Sequence, residues 1–309
     1  MIAQELSNSA LIESFLGDCK LRGMTYDTIR SYRSALRIFN DFIKAPFFKV
    51  TKEDLRDFLK YLREERHNSP KRIENYFATL SSFYNYLIYE ELVDRNPVLP
   101  VRKRYVRTYK ALDPPAIRKL ISVEEMSMLV NSTLSIRERA IITLLAKTGI
   151  RRGELLSIDL EDINWQEQRI ALKPKAKRSN RIVFFDDECA RVLKRWIALR
   201  NSMNPKTRAL FVSEPGNRID RNTVYDMVTK NAERVGLHNP NSKRLEGHFS
   251  PHCCRHWFTT WLLRNGMPRE YVKELRGDAR NEAIDIYYHI DLEDLRKTYL
   301  ACMPKLGID

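Results

Sequence analysis

Apolar positions recur at helical spacing along most of the chain, and the breaks between them fall at capping residues and prolines. Ile29, Tyr32, Leu36, Ile38, Phe39, Phe42 and Ile43 approximate one stripe behind Thr25, which predicts a capped helix from Tyr26 to about Lys44. Thr51 with Asp54 has the form of a capping box, and Leu55, Phe58, Leu59 and Leu62 follow at helical spacing. Ser69-Pro70 supplies a cap and a first-turn proline for a helix reaching about Glu91. Residues 1–96 therefore read as a small four-helix domain.

The pattern then changes. Pro97, Pro100, Pro114 and Pro115 bracket residues 97–116, which are not expected to form one helix. From 117 to 309 the chain is mixed. Ser122 with Glu125 and Ser135 with Glu138 predict two capping boxes, and Gly149 ends the helix that follows Ser135. Two β-rich runs, 169–173 and 181–185, flank a polar loop and read as a hairpin. A helix follows from about Asp187 to Arg200, and 209–213 is a candidate further strand. Ser250-Pro251 opens another helix that Gly266 ends, and Asp291 caps a tail helix carrying Leu292, Leu295, Tyr299 and Leu300 on one face. The fold class is mainly α with a small β-hairpin or sheet.

Composition adds a partner. The chain has 309 residues, 43% of them hydrophobic, enough for two cores and too apolar for a disordered chain. Its formal net charge is +14, which points to a polyanion, most often nucleic acid. Residues 1–96 hold 15 basic against 14 acidic side chains, so the excess lies further on. Within 97–116, Arg102, Lys103, Arg104, Arg107 and Lys110 have no acid between them, and prolines would hold such a segment extended as a strap along phosphates. With only 10 glycines, glycine-rich phosphate loops are disfavoured. No apolar run reaches the ~18–20 residues of a membrane span, and the N-terminus lacks a signal peptide's basic and apolar regions. Cys19, Cys189, Cys253, Cys254 and Cys302 are odd in number and form no CxxC pair, so a reduced, cytoplasmic protein is expected.

Three segments carry candidate chemistry. Arg151 follows a helix end, where new backbone N–H groups and a guanidinium suit a phosphate; an ordinary exposed arginine is the plain alternative. His252 and Arg255, three apart, share a helix face and again suit an oxyanion; a capping histidine beside a surface arginine reads equally well. A zinc reading exists from His248, His252, Cys253 and His256, but Pro251 breaks the register and no second ligand cluster follows. Tyr287 and Tyr288 form the third segment. A phenol of pKa near 10 becomes a nucleophile only where cations stabilise its anion and a phosphate lies in line.

In order, these segments resemble the tyrosine recombinase (phage-type integrase) superfamily, whose motifs run TGxRxxE, a hairpin lysine, HxxRH, LGH and then a tyrosine. Here they read Thr148-Gly149-Ile150-Arg151 with Glu154, the Lys/Arg hairpin, His252 to His256 with Arg255 between, Arg276-Gly277-Asp278, and Tyr287 nine residues beyond Asp278. The run around Tyr287 looks most like integrases of archaeal viruses and plasmids. The resemblance implies a helical, SAM-like core-binding domain over 1–96, a basic linker over 97–116, and a catalytic domain over 117–309 with a C-terminal exchange helix.

It also implies roles. Arg151 and Arg255 would grip the non-bridging oxygens of a scissile phosphate, and Glu154 would support Arg151. His252 would serve proton transfer, and Tyr287 would attack phosphorus to give a 3′-phosphotyrosine. Lys175 would protonate the departing 5′-oxygen, with Lys177 as the alternative because the hairpin loop is about one residue longer than usual. Asp278 stands where the family has a histidine, so it would repel a developing phosphorane unless paired. Arg102, Lys103, Arg104, Arg107, Lys177 and Arg178 would contact DNA. Two arginines and a lysine supply the charge that Mg²⁺ supplies elsewhere, so no metal or cofactor is expected. The expected partner is double-stranded DNA, with assembly into dimers or tetramers through the tail helix. The rival readings are a type IB topoisomerase-like enzyme and a non-catalytic DNA-binding protein.

Overall fold

The structure is a computed structural model that describes residues 7–106, 119–174, 182–213, 216–242, 244–278 and 290–308. It falls into two compact units, 1–114 and 115–309.

The first unit is helical. Helices α1 (Asn8–Leu21), α2 (Tyr26–Phe42), α3 (Lys52–Lys60) and α4 (Pro70–Tyr89) start at the residues that cap them, Ser7, Thr25, Thr51 and Ser69. Both halves of the Thr51–Asp54 capping box form. The core is aromatic: Phe15, Phe39, Phe47, Phe58, Phe77 and Phe83 are fully buried. Edge-on pairs such as Phe39–Phe58 at 4.9 Å and Phe47–Phe83 at 5.2 Å set the ring edges against the ring faces.

The start of the proline-bracketed segment is not extended. Val98–Val101 forms a short helix, α5, followed by a π turn over Arg102–Val106. Pro97 sits at its N-cap and Pro100 in its first turn, where neither removes a helical hydrogen bond. Buried Asn96 ties α5 down, donating to the Ser81 carbonyl and accepting from the Val98 amide. Val98, Val101 and Val106 join the first core. This corrects the extended strap: Lys103 and Arg104 are exposed, but on a helical turn that belongs to the first unit. Arg107 and Lys110 lie outside the described residues.

The second unit forms around α7 (Ile136–Thr148), which packs against α9 (Asp187–Ser202) and α11 (Pro251–Arg264). Helices α6 (Val123–Ser132), α8 (Arg152–Leu155), α10 (Arg221–Arg234), α12 (Arg269–Arg276) and α13 (Leu292–Cys302) complete it. The sheet is antiparallel in the order β1 (Ile163–Asn164), β2 (Arg169–Ala171), β3 (Ile182–Phe184). Ile170 lies opposite both Ile163 and Val183, giving one apolar row. The hairpin is as expected, and β1 adds an unforeseen edge. Residues 209–213 are not a strand but part of two isolated bridges, Asp159 with Ala209 and Val212 with Arg218. Trp196 Nε1 and Arg200 Nε donate to the carbonyls of Leu210 and Ala209, and the Ile158 amide beside the first bridge turns to the Leu155 carbonyl.

The Ser135 box forms by half. Ser135 accepts from the Glu138 amide, while the Glu138 carboxylate accepts from Asn231 on α10. Helix α13 buries Leu295 and Tyr299 in the second core, while Leu292 stays 41% exposed. The residues after it are held by a buried charge cluster. Lys147, fully buried, donates to Asp186 at 2.7 Å, Glu188 at 2.5 Å and the Pro304 carbonyl at 2.7 Å. Glu188 in turn accepts from the amides of Leu306 and Ile308. No helix among the described residues is long and apolar enough to cross a membrane.

Candidate active site

The site is assembled at two helix ends. Helix α7 stops at Gly149, whose φ of +59° is left-handed backbone that glycine adopts without a Cβ penalty. A Cβ there would also lie 2.4 Å from the Phe258 ring. The turn delivers Arg151 to the N-cap of α8. Buried Glu154 fixes it twice, accepting from the Arg151 amide at 2.7 Å and from its guanidinium at 3.1 Å. The carboxylate thus occupies the Arg151 amide that the sequence offers to a phosphate, and the guanidinium is left 42% exposed.

Arg255 comes from α11, which starts at Ser250-Pro251 as expected. Cys254, Trp257 and Phe258 face the core, and Arg255 is buried with them at 4% exposure. Such a charge needs fixed partners. Arg255 donates to the Gly149 carbonyl at 2.7 Å and to the Arg276 carbonyl at 2.8 Å. Burial and the neighbouring charges of Arg151 and Arg276 push its pKa down to about 10, so it is still cationic at neutral pH. His252 lies exposed in the first turn of the same helix, its ring 4.6 Å from that of His256.

Asp278 joins the two arginines. Its Oδ1 is 3.3 Å from Arg255 Nη2 and 3.7 Å from Arg151 Nη2, and its Oδ2 is 3.1 Å from Arg276 Nε. The pairing that an aspartate requires here is therefore present. Sequence reasoning missed Arg276, whose signal was an opposite charge two residues from Asp278 across a helix-ending glycine.

The structure thus brings Arg151, Glu154, Arg255 and Asp278 together and sets His252 one helical turn from Arg255. Lys175, Lys177, Arg178, Tyr287 and Tyr288 lie outside the described residues. Of the hairpin cations that are described, Lys173 is paired with Asp159. Two donors of the zinc reading face backbone: His248 Nε2 is 2.7 Å from the Ser242 carbonyl, and the Cys253 thiol points to the His248 carbonyl. Among the described residues no group of three or more His, Cys, Asp or Glu side chains is placed to hold a metal ion.

The chain also matches known proteins over most of its length. The Phage integrase family model matches residues 110–293, and the model of the Phage integrase N-terminal SAM-like domain matches 11–94. The tyrosine recombinase XerC of Thermodesulfovibrio yellowstonii is 29% identical over 306 residues, covering 95% of this chain and 96% of that one. The tyrosine recombinase XerA of Saccharolobus solfataricus is 28% identical over 304 residues, covering 95% and 92%. A crystal structure of a lambda integrase dimer bound to a COC′ core site shares the fold, with a TM-score of 0.69 at 15% identity over 92% of this chain and 98% of that one. The two family models fall one in each unit, and the chain belongs to the phage integrase family of tyrosine recombinases.

Proposed function

We propose that this chain is a site-specific DNA recombinase that cleaves and rejoins duplex DNA through a 3′-phosphotyrosine link. The observation that carries the reading is the convergence of Arg151 and Arg255 on a single carboxylate oxygen, each held in place by other partners. An anion already lies where a phosphodiester oxygen would bind, and two guanidiniums are the donors that such an oxygen needs.

In this reading Arg151 and Arg255 hold the non-bridging oxygens, and Glu154 aims Arg151. Tyr287 attacks phosphorus as its phenolic proton leaves through His252. The bond from phosphorus to the 5′-oxygen breaks, and Lys175 gives that oxygen a proton. Rejoining reverses each step, and because the phosphotyrosine keeps the ester's energy no nucleotide is consumed. Arg102, Lys103, Arg104, Arg107, Lys177 and Arg178 bind the flanking backbone. DNA is the partner in the cytoplasm, and the enzyme assembles on it as a dimer or tetramer. The Lys147–Glu188 cluster holds backbone groups of residues 304–308, and the same residues of a neighbouring copy would present the same groups.

The test is covalent trapping on nicked duplexes chosen by binding from a random-sequence pool. A protein–DNA adduct that survives denaturant and forms in excess chelator supports the reading. Tight binding without adduct would leave a DNA-binding protein, and an adduct formed only with added metal would overturn the mechanism.

A further inference from the structure

The carboxylate of Asp278 occupies the donors that a scissile phosphate would need. Its Oδ1 faces Arg255 and Arg151, while its Oδ2 faces Arg276. A phosphodiester monoanion entering between Arg151 and Arg255 meets this carboxylate head on, and two anions cannot share one set of N–H groups without strong repulsion. Either Asp278 leaves with a counter-ion or the phosphate is excluded.

The local backbone shows which motion is open. Arg276 is the last residue of α12, and Gly277 follows at φ +60°. The Gly277 amide donates to Glu274 and the Asp278 amide to Lys273, the paired bonds of a Schellman turn. The Asp278 backbone is therefore fixed and only its side chain can swing. Arg151 and Arg255 do not depend on it for position, because Glu154 holds the first and the Gly149 and Arg276 carbonyls hold the second. Asp278 and Arg276 are about one-third exposed, so both side chains lie at the mouth of the site.

We propose that Asp278 is a built-in stand-in for the scissile phosphate, and that Arg276 is the positioning residue that draws the carboxylate away when the phosphate arrives. The empty site is then charge-compensated and closed to stray anions. It opens only to a phosphate held by enough further contacts to displace the carboxylate. This rests on the two-arginine phosphate reading above and deepens it.

The test is binding of inorganic phosphate to the whole chain, followed by ³¹P NMR, in a double-mutant cycle. A charge-assisted contact is worth enough to shift affinity about ten-fold. Asp278→Asn, which keeps the shape and removes the charge, should tighten phosphate by that factor. Arg276→Gln should weaken it similarly, because the carboxylate then stays on Arg151 and Arg255. The double variant should bind like Asp278→Asn alone, since Arg276 acts only through Asp278. An Arg276 that acts independently of Asp278 would give additive effects, leaving the double variant near wild type and about ten-fold weaker than Asp278→Asn. That result, or unchanged affinity in Asp278→Asn, overturns the proposal. Arg151→Gln separates this from the parent reading: phosphate affinity that survives in that variant means that the two-arginine clamp itself is wrong.

Discussion

Asp278 Oδ1 stands 3.3 Å from Nη2 of Arg255, a side chain only 4% exposed. An aspartate at this position reads from sequence as a repulsive group facing phosphate. In the fold it compensates a desolvated guanidinium, which would otherwise lack a nearby opposite charge on the side facing the site mouth. The same geometry makes the two arginines separable in function. Arg255 is locked by backbone carbonyls, whereas Arg151 depends on one carboxylate.

Glu154 is therefore the sensitive point of the clamp. Glu154→Gln removes the charge that aims the Arg151 guanidinium and leaves the amide cap partly intact. Misplacement of about 1 Å costs on the order of 10²-fold in rate. Single-turnover adduct formation should fall by about that factor with little change in the melting temperature. A fall in melting temperature that accounts for the activity loss would make Glu154 structural only.

How much of this was legible in the sequence follows from the range of each interaction. Thr25, Ser69-Pro70 and the Ser122–Glu125 box act within one turn, so their helices start where the residues say. Glu138 was misread because its carboxylate goes to Asn231, 93 positions on. Nothing local marks Lys147, and only the tertiary fold reveals two carboxylates and a carbonyl around it. The prolines after Asn96 suggested extension, while the apolar pair Val98 and Val101, three apart, carried the helical signal. Arg151, Glu154, Arg255 and Asp278 were legible through motif spacing, but the pairs of Asp278 with Arg151 and Arg255 join residues more than 20 positions apart.

The Lys147 cluster predicts a pH signature. Burial raises the Glu188 pKa, but the Lys147 ammonium and the Leu306 and Ile308 amides more than offset this and hold it below the ordinary value. A depressed carboxylate stabilises the fold fully above the unfolded pKa, about 4.3, and loses that contribution as pH falls through the folded value. Unfolding midpoints should drop on acidification below about pH 4.3, and less so in Glu188→Gln. Lys147→Met removes the buried ammonium that Asp186 and Glu188 share and should cost about 3–5 kcal/mol. Limited proteolysis should then cut the tail after Cys302 first, and a tail as resistant as in wild type would contradict the cluster's role.

Gly149 is predicted to accept no side chain. Gly149→Ala adds about 1–2 kcal/mol for left-handed backbone and about 1–3 kcal/mol for the clash with Phe258. Chemical denaturation should show that sum, and Phe258→Leu in the same chain should return only the clash portion. A loss below about 1 kcal/mol would mean that the turn relaxes freely.

The basic turn after α5 sets a salt dependence. Lys103 and Arg104 are exposed and Arg102 is half-buried. If they and Arg107 meet phosphates, neutralising all four should flatten the plot of log affinity against log salt by about 0.9 for each phosphate that no longer faces a cation. Specific and non-specific duplexes should weaken about equally. An unchanged slope would mean that these cations do not touch the backbone.

The central claim is that a tyrosine carries the DNA strand, and mass spectrometry of the trapped adduct tests it most directly. The account predicts a 3′-nucleotide on the phenol of Tyr287. Tyr287→Phe, which lacks one oxygen, should bind the same duplex with unchanged affinity and form no adduct. An adduct mapped to Tyr288 would move the nucleophile by one residue. An adduct on no tyrosine, or one that persists when both are phenylalanine, would contradict the account.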